Sequence, residues 1–347
     1  MDKMKLYNDN GYPNTDIWHL PQYPIVLIWG ARGIGKTVTG LLDELKRGET
    51  FLYLRRKQQQ ADLCMMPELS PIKTINKIAL TSYVPARIAK NYGAVYNGEE
   101  KENKLKPYGK PIAYIAALST FADVRGAGLE DVKTMIYDEY SGEKNDRAIK
   151  GEESLILNAY ETINRNREID EENPQPPLRA VFMSNSNDFI NPVFSAFNVT
   201  DIAEKMAREK KPLVTLPERG IILINYLNSP ISQKKNKTAL YKATANEEFK
   251  KMALENDFNF DTNIKIKPRN IAHAKPLVTF GDYTLYDIDN VLYFDERKSG
   301  TPPLFTTDKK GIAQFMRNFP NLYYRILRGK AEYQNYTVYG KVKAALL

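Results

Sequence analysis

The sequence predicts an α/β chain: a parallel sheet flanked by helices over residues 1–200, with a smaller mixed α/β region towards the C-terminus. Three observations carry this reading. Short continuous apolar runs, bounded by Pro or Gly, alternate with stretches of helical period; a run that is apolar throughout suits a strand buried on both faces, as in a parallel sheet with helices on either side. A glycine-rich turn follows the first of these runs and opens the first helical stretch. Of 347 residues, 42% are hydrophobic and 27% charged, the balance of a folded chain rather than a disordered one.

Taken in order, Ile25-Val26-Leu27-Ile28-Trp29 is the first buried strand, entered from Pro24 and left at Gly30. Residues 37–46 have helical period, with Leu41, Leu42 and Leu45 on one face and Gly48 as the C-cap. Further strands are read at 51–54, 112–118, 134–137 and 180–183, and a helix at 153–165. Val95-Tyr96-Asn97-Gly98-Glu99 has the composition of a hairpin turn, leading into a polar excursion over 100–110. Beyond 200 the character changes. Residues 201–211 form a short charged helix stopped by Pro212, 221–226 a strand, and 232–256 a lysine-rich helix. Two strand-like runs at 284–288 and 291–294 flank Asp289-Asn290, a second hairpin signal, followed by helices near 308–318 and 322–332. The expected organisation is a first domain over 1–200, a basic and largely helical linker over 201–258, and a C-terminal domain over 259–347.

Composition excludes several classes. The one cysteine, Cys64, cannot close an internal disulfide, and two histidines (His19, His273) argue against a zinc site of His and Cys alone. The longest apolar runs are too short to span a bilayer and residues 1–18 too polar for a signal peptide. The expectation is a soluble intracellular protein without membrane contact. With 50 Lys+Arg against 42 Asp+Glu, the net charge is +8, which suits a polyanionic partner. Residues 201–251 hold eleven Lys+Arg against six Asp+Glu. Lys234, Lys235 and Lys237 there are candidates for sequence-independent contacts to DNA phosphates, weighed evenly against a solvated helix face.

Gly30-Ala31-Arg32-Gly33-Ile34-Gly35-Lys36-Thr37 fits G-x-x-x-x-G-K-[ST] in full, between a buried strand and a helix. Glycines let successive backbone N–H groups turn inward on phosphate oxygens, and the helix adds its positive end. Lys36 is placed to reach the β- and γ-phosphates of ATP, and Thr37 to ligate Mg²⁺. The apolar strand before Asp138-Glu139 ends in two carboxylates. Asp138 suits the metal side of such a site, and Glu139 the group that orients or deprotonates the attacking water. A second carboxylate directly after the first favours an ATPase that does mechanical work over a small GTPase, and no N-K-x-D guanine-reading motif occurs.

Other positions stay open on residue type. Asn185, after Ser184, reads first as a turn cap and second as an amide on the γ-phosphate. Arg165 and Arg167 read either as a solvated helix end or as a source of an arginine finger; Arg125, in a glycine-rich loop, has the same ambiguity. Arg55, Arg56 and Lys57 suit DNA backbone contacts or surface ion pairs.

The motifs Ile28 to Thr37, Tyr53-Leu-Arg-Arg56, Ile136-Tyr-Asp-Glu-Tyr140, Asn164-Arg-Asn-Arg-Glu168 and Ser184-Asn185 through Asn191-Pro192, with Met-Asp-Lys at the start and Tyr7-Asn8, occur in one order and at similar spacing in another group. In these the chain resembles the DNA-encapsidation ATPases of small tailed podophages, specifically over 1 to about 200 and more loosely beyond. The resemblance implies an ASCE P-loop domain in which Gly30 to Thr37 is the Walker A loop, Asp138 the Walker B aspartate and Glu139 the catalytic glutamate. Arg165, and Arg125 with it, would act in trans on the neighbouring subunit's ATP, and Asn185 would be the polar residue of the next strand. It further implies a homo-oligomeric ring, a pentamer, docked through a packaging RNA on the portal vertex of a prohead in the host cytoplasm, with double-stranded DNA in its channel. The C-terminal domain would resemble a ribonuclease-H-like nuclease that has lost catalysis. Lys57-Gln58 departs from the family's best-known member, which has Tyr-Lys there, and 99–110 looks longer. Asp282, Asp287, Asp289, Asp295 and Glu296 could mimic a two-metal nuclease site, but read more readily as turn residues. Rival functions are a helicase or DNA-segregation ATPase of the same fold, a terminase with a working nuclease, and a scaffold that binds ATP without turnover.

Overall fold

A computed structural model describes residues 5–101, 104–124, 128–142, 149–185, 188–245, 250, 253–254 and 265–346. The chain divides into two compact units, 1–196 with 205–259, and 197–204 with 260–347.

The first unit is built on a nine-stranded sheet. Its strands in chain order are β1 (Ile25–Gly30), β2 (Phe51–Arg55), β3 (Tyr83–Ala89), β4 (Tyr92–Lys101), β5 (Lys104–Ala117), β6 (Thr134–Asp138), β7 (Arg179–Asn185), β8 (Leu213–Leu216) and β9 (Ile221–Tyr226). They lie side by side as β3-β4-β5-β2-β6-β7-β1-β9-β8. Neighbours from β5 through β9 pair in parallel, whereas β3, β4 and β8 attach antiparallel at the two sides. Every residue of β1, β6 and β9 is buried, so the unbroken apolar runs of the sequence mark strands covered on both faces.

Helix α1 (Lys36–Arg47) follows β1 and ends at Gly48, whose φ of 70° is the left-handed cap that glycine adopts without strain. Val26, Ile28, Ile136, Val181, Met183, Ile222 and Ile224 share one core cluster with Leu41 and Leu45 of α1. The residues between them in sequence, Leu27, Trp29, Met135, Tyr137, Phe182 and Leu223, are buried as well. There Trp29 meets Phe194 edge-on at 5.4 Å and Tyr137 meets Phe182 at 6.1 Å. The remaining labelled helices are α2 (Gln58–Cys64), α3 (Pro71–Ala79), α4 (Glu152–Asn164), α5 (Pro192–Ala196), α6 (Thr200–Arg208), α7 (Pro230–Lys235) and α8 (Ala239–Ala243).

Two local expectations change. Asn97-Gly98 is not a turn: it lies inside β4, whose antiparallel ladder with β5 continues through it to Lys101 opposite Lys104. The glycine is there for close approach, since a Cβ on Gly98 would fall 2.2 Å from the Ser82 carbonyl oxygen. The continuous helix read over 232–256 is broken after Lys235, where α7 ends, and again after Ala243, where α8 ends. The segment 201–258 also supplies β8 and β9 to the large sheet, with β9 pairing directly with β1.

The second unit is mixed α/β. Strands β10 (Lys265–Ile266), β11 (Lys275–Phe280), β12 (Tyr283–Ile288), β13 (Val291–Asp295), β14 (Leu304–Phe305) and β15 (Ala331–Tyr333) lie in the order β10-β15-β13-β12-β11-β14. The hairpin at Asp289-Asn290 is as expected: both residues have positive φ, 53° and 65°, as a two-residue turn between twisted strands requires. Helices Lys309–Asn318, Pro320–Leu327 and Tyr336–Leu346 complete this unit, with Phe280, Phe305, Phe315 and Phe319 in ring contact. The acidic residues read for a nuclease-like site form no metal-binding cluster among the described residues. Asp282 is at the β11–β12 turn and Asp289 at the β12–β13 turn, on opposite ends of β12. Asp287 caps the backbone N–H of Asn290, and Asp295 is fully buried against Arg297 at 2.6 Å.

Candidate nucleotide-binding site

The parallel register sets five strand ends on one edge. Gly30 is level with Asn185 and Tyr226, and Asp138 is level with Arg55 and Met183. The chain leaves β1 at that edge into the loop 31–35. Gly33 and Gly35 have φ of 72° and 94°, so the loop uses glycine where other residues would be strained. Ala31 and Ile34 are buried anchors, and Arg32 is exposed. Gly30 is small for a second reason: a Cβ there would lie 2.8 Å from Cβ of Tyr226 on β9.

Lys36, at the start of α1, is buried and donates to the carbonyls of Gly30 and Ala31, both at 3.0 Å, and to Oδ1 of Asn185 at 3.1 Å. Burial lowers its pKa to about 7, against the opposing attraction of Asp138. An ammonium whose charge is only partly compensated is poised for an anionic ligand. Thr37 Oγ1 donates to Asp138 Oδ2 at 2.7 Å. That carboxylate oxygen also accepts from Tyr53 OH at 3.0 Å and Arg55 at 2.8 Å. A hydroxyl and a carboxylate converging beside a phosphate-type loop are the oxygen donors that Mg²⁺ prefers, so these residues fit the ion.

Glu139 follows at φ 59°, a left-handed conformation uncommon for glutamate. The turn is held by its N–H, which donates to the Met183 carbonyl at 2.8 Å and contacts Asp138 Oδ1 at 3.0 Å. Its carboxylate pairs with Arg55 and accepts from Gln60 at 3.2 Å. Arg55 therefore bridges both acidic groups, which raise its pKa together with Tyr53. Thus the structure brings together Gly30, Ala31, Arg32, Gly33, Ile34, Gly35, Lys36, Thr37, Asp138, Glu139 and Asn185.

The remaining candidates go elsewhere. Arg55 and Arg56, read for DNA contact, are inside the protein. Arg56 makes a two-pronged pair with Glu152 at 2.7 Å and is 5% exposed. Lys57 is the N-cap of α2. Lys234 and Lys237 are exposed, whereas Lys235 donates to the Arg32 carbonyl of the phosphate loop at 2.6 Å. Arg125 lies outside the described residues.

Arg165, at the C-terminal end of α4, pairs with Glu130, which precedes β6. Its neighbour Asn164 accepts from the N–H of Leu178, just before β7. Arg165 is therefore at the amino edge of the sheet, and the length of β6, about 15 Å at strand rise, separates it from the phosphate loop of its own chain. It is 46% exposed. Arg167, by contrast, is spent on the carbonyls of Val132, Ile163 and Asn164. Sequence reading missed the bridging role of Arg55, and the contribution of Lys235 to the phosphate loop. The first is a contact across 83 residues, from the end of β2 to the end of β6, and the second a contact across 203 residues.

A profile of the podovirus DNA encapsidation protein (Gp16) family matches residues 95–323. The DNA packaging protein of Bacillus phage phi29 is 26% identical over 276 residues, 78% of this chain and 71% of that one. The protein of the same description from Bacillus phage B103 is 28% identical over 251 residues, 70% and 66% of the two chains. Among solved structures, the phi28 gp11 DNA packaging motor matches with a TM-score of 0.65 at 18% identity, and the bacteriophage phi29 viral genome packaging motor assembly with 0.60 at 19%; each match covers 98% of both chains. At these identities the structural likeness is one of fold.

Proposed function

The chain belongs to the podovirus DNA encapsidation protein (Gp16) family, and on that premise we propose that it is an ATP-driven motor that moves double-stranded DNA into a preformed prohead. The observation that carries the reading is the junction of Lys36, Asn185, Thr37 and Asp138 around a complete phosphate loop at the carboxyl edge of the sheet. The family profile starts beyond that loop, so Gly30 to Thr37 is an observation apart from it, whereas Asp138 and Asn185 lie within the matched residues.

The chemistry is attack of water on the γ-phosphorus, forming one P–O bond and breaking the bond to the β-bridging oxygen. Glu139 takes the proton of the water, and its fixed backbone aims the carboxylate from the β6 tip. Thr37 and Asp138 would hold Mg²⁺, which would supply neutralising charge to the phosphates. Lys36 adds positive charge from the buried side of the loop, and Asn185 orients Lys36. Arg55 pairs with both carboxylates, which fixes Asp138 and Glu139 relative to each other.

The remote, exposed position of Arg165 supports its action on a neighbouring subunit's nucleotide rather than its own, in a ring of five copies on the portal with a packaging RNA. No described helix is long and apolar enough to cross a membrane. The proposed motor would dock transiently on the prohead in the host cytoplasm. The spread of acidic residues in the second unit favours a vestigial nuclease over a working one.

The test is a packaging assay with purified proheads and double-stranded DNA, reading phosphate release and nuclease-protected DNA together. Both should require ATP and Mg²⁺. Turnover stimulated by single strands but not by duplex would instead identify a helicase, and absence of turnover on the assembled prohead would identify a nucleotide-binding scaffold.

A further inference from the structure

Two lysines, not one, close on the phosphate loop. Lys36 donates to the carbonyls of Gly30 and Ala31, and Lys235 donates to the next carbonyl, that of Arg32. A Cβ on Gly33 would lie 2.9 Å from the Lys235 ammonium, so the side chain rests directly on the loop. Lys235 is the last residue of α7, a helix started by Pro230 and capped by Ser229 Oγ, which accepts from the Ser232 N–H. The Tyr241 ring centroid lies 5.7 Å from the same ammonium, within cation–π reach. Lys235 takes the carbonyl next in sequence to the two that Lys36 takes, so the two ammoniums close on one stretch of the loop.

We propose that Lys235 is a second phosphate-binding lysine, supplied in cis by α7, which meets the terminal phosphate of the bound nucleoside triphosphate and draws α7 with it. This deepens the ATP reading and rests on it. An ammonium is donor-only, and a phosphate oxygen is a stronger acceptor for it than a neutral backbone carbonyl. Lys36 and Lys235 both donate to backbone carbonyls, and a phosphate would offer each a better partner. With Lys36 assigned to the β- and γ-oxygens, the second ammonium, which meets the loop at Arg32 and Gly33, is assigned to the γ end. Loss of that phosphate on hydrolysis would return Lys235 to the Arg32 carbonyl. The lysine-rich segment beginning with α7 would then change its position with the state of the nucleotide.

The experiment is calorimetric titration of the full chain, with Mg²⁺, by a non-hydrolysable ATP analogue and by ADP, comparing wild type with Lys235→Ala, Lys235→Gln and Lys235→Arg. The alanine and glutamine variants should lose about tenfold in affinity for the triphosphate, the scale of one charge-assisted hydrogen bond. Their affinity for ADP should change less than twofold, and arginine should restore most of the loss. An unchanged ratio of triphosphate to ADP affinity overturns the proposal. So does an equal loss of both ligands with a lowered melting temperature, which would make Lys235 a brace of the loop, or loss of DNA binding alone. Wild type that binds no nucleotide would sink the ATP reading itself, a result distinct from all of these.

Discussion

Glu139 is the residue on which the proposed chemistry turns, and its geometry is costly. A non-glycine residue in the left-handed region persists only where its surroundings over-determine it, and here the Met183 carbonyl and the Asp138 side chain do so. Glu139→Gln keeps size and hydrogen-bonding reach but removes the proton acceptor. We expect turnover on the assembled prohead to fall by about 10² to 10⁴-fold, the range for loss of a general base, with affinity for ATP and Mg²⁺ within about twofold of wild type. Steady-state phosphate release and equilibrium titration measure the two halves. Retained turnover would move the base elsewhere.

At the scale of the element, α1 carries both the site and an internal titration. Its first residues, Lys36 and Thr37, point to the phosphate edge, while Glu44 two turns later is 2% exposed beneath His19. Burial raises the Glu44 carboxyl from its ordinary 4.5 to about 7, with a smaller push from Asp43. The folded chain therefore holds a proton that the unfolded chain releases between these values. The stability linked to it is present below pH 4.5 and is lost as pH rises through about 7. Glu44→Gln should flatten this part of the profile, making the variant relatively more stable at pH 7 than at pH 4.5. Urea unfolding of both chains at the two pH values checks it; parallel profiles would mean that Glu44 ionises normally. Asp43, beside His19 and Arg47, is held down at about 2 despite its burial, so its own transition lies below this window.

At the scale of the whole molecule, the nucleotide site and Arg165 occupy opposite edges of one sheet. A chain built in this way completes the proposed catalytic set only with a neighbour's arginine. Lys36→Ala removes the phosphate lysine but leaves Arg165; Arg165→Ala does the reverse. Each variant alone should support little or no ATP turnover on proheads. A mixture should recover a measurable fraction, because an intact loop from one variant can face an intact arginine from the other. If mixing restores nothing while both variants assemble, Arg165 does not act across the interface.

Much of this protein was legible in the residue order. Buried parallel strands, the glycine positions and the Gly30 to Thr37 loop follow from local chemistry: which runs are apolar on both faces, where φ must be positive, which groups bind phosphate. Asp138 and Glu139 were legible because they end such a strand. The fate of Asn97-Gly98 was not, since its turn signal lost to a ladder that only pairing with β5 could supply. Nor was the work of Arg55, Arg56 and Lys235, because a cation reads alike in sequence whether it faces solvent, a carboxylate or a carbonyl. The partner decides, and partners separated by 83, 96 and 203 residues are chosen by the register of the sheet and the return of α7 to the loop.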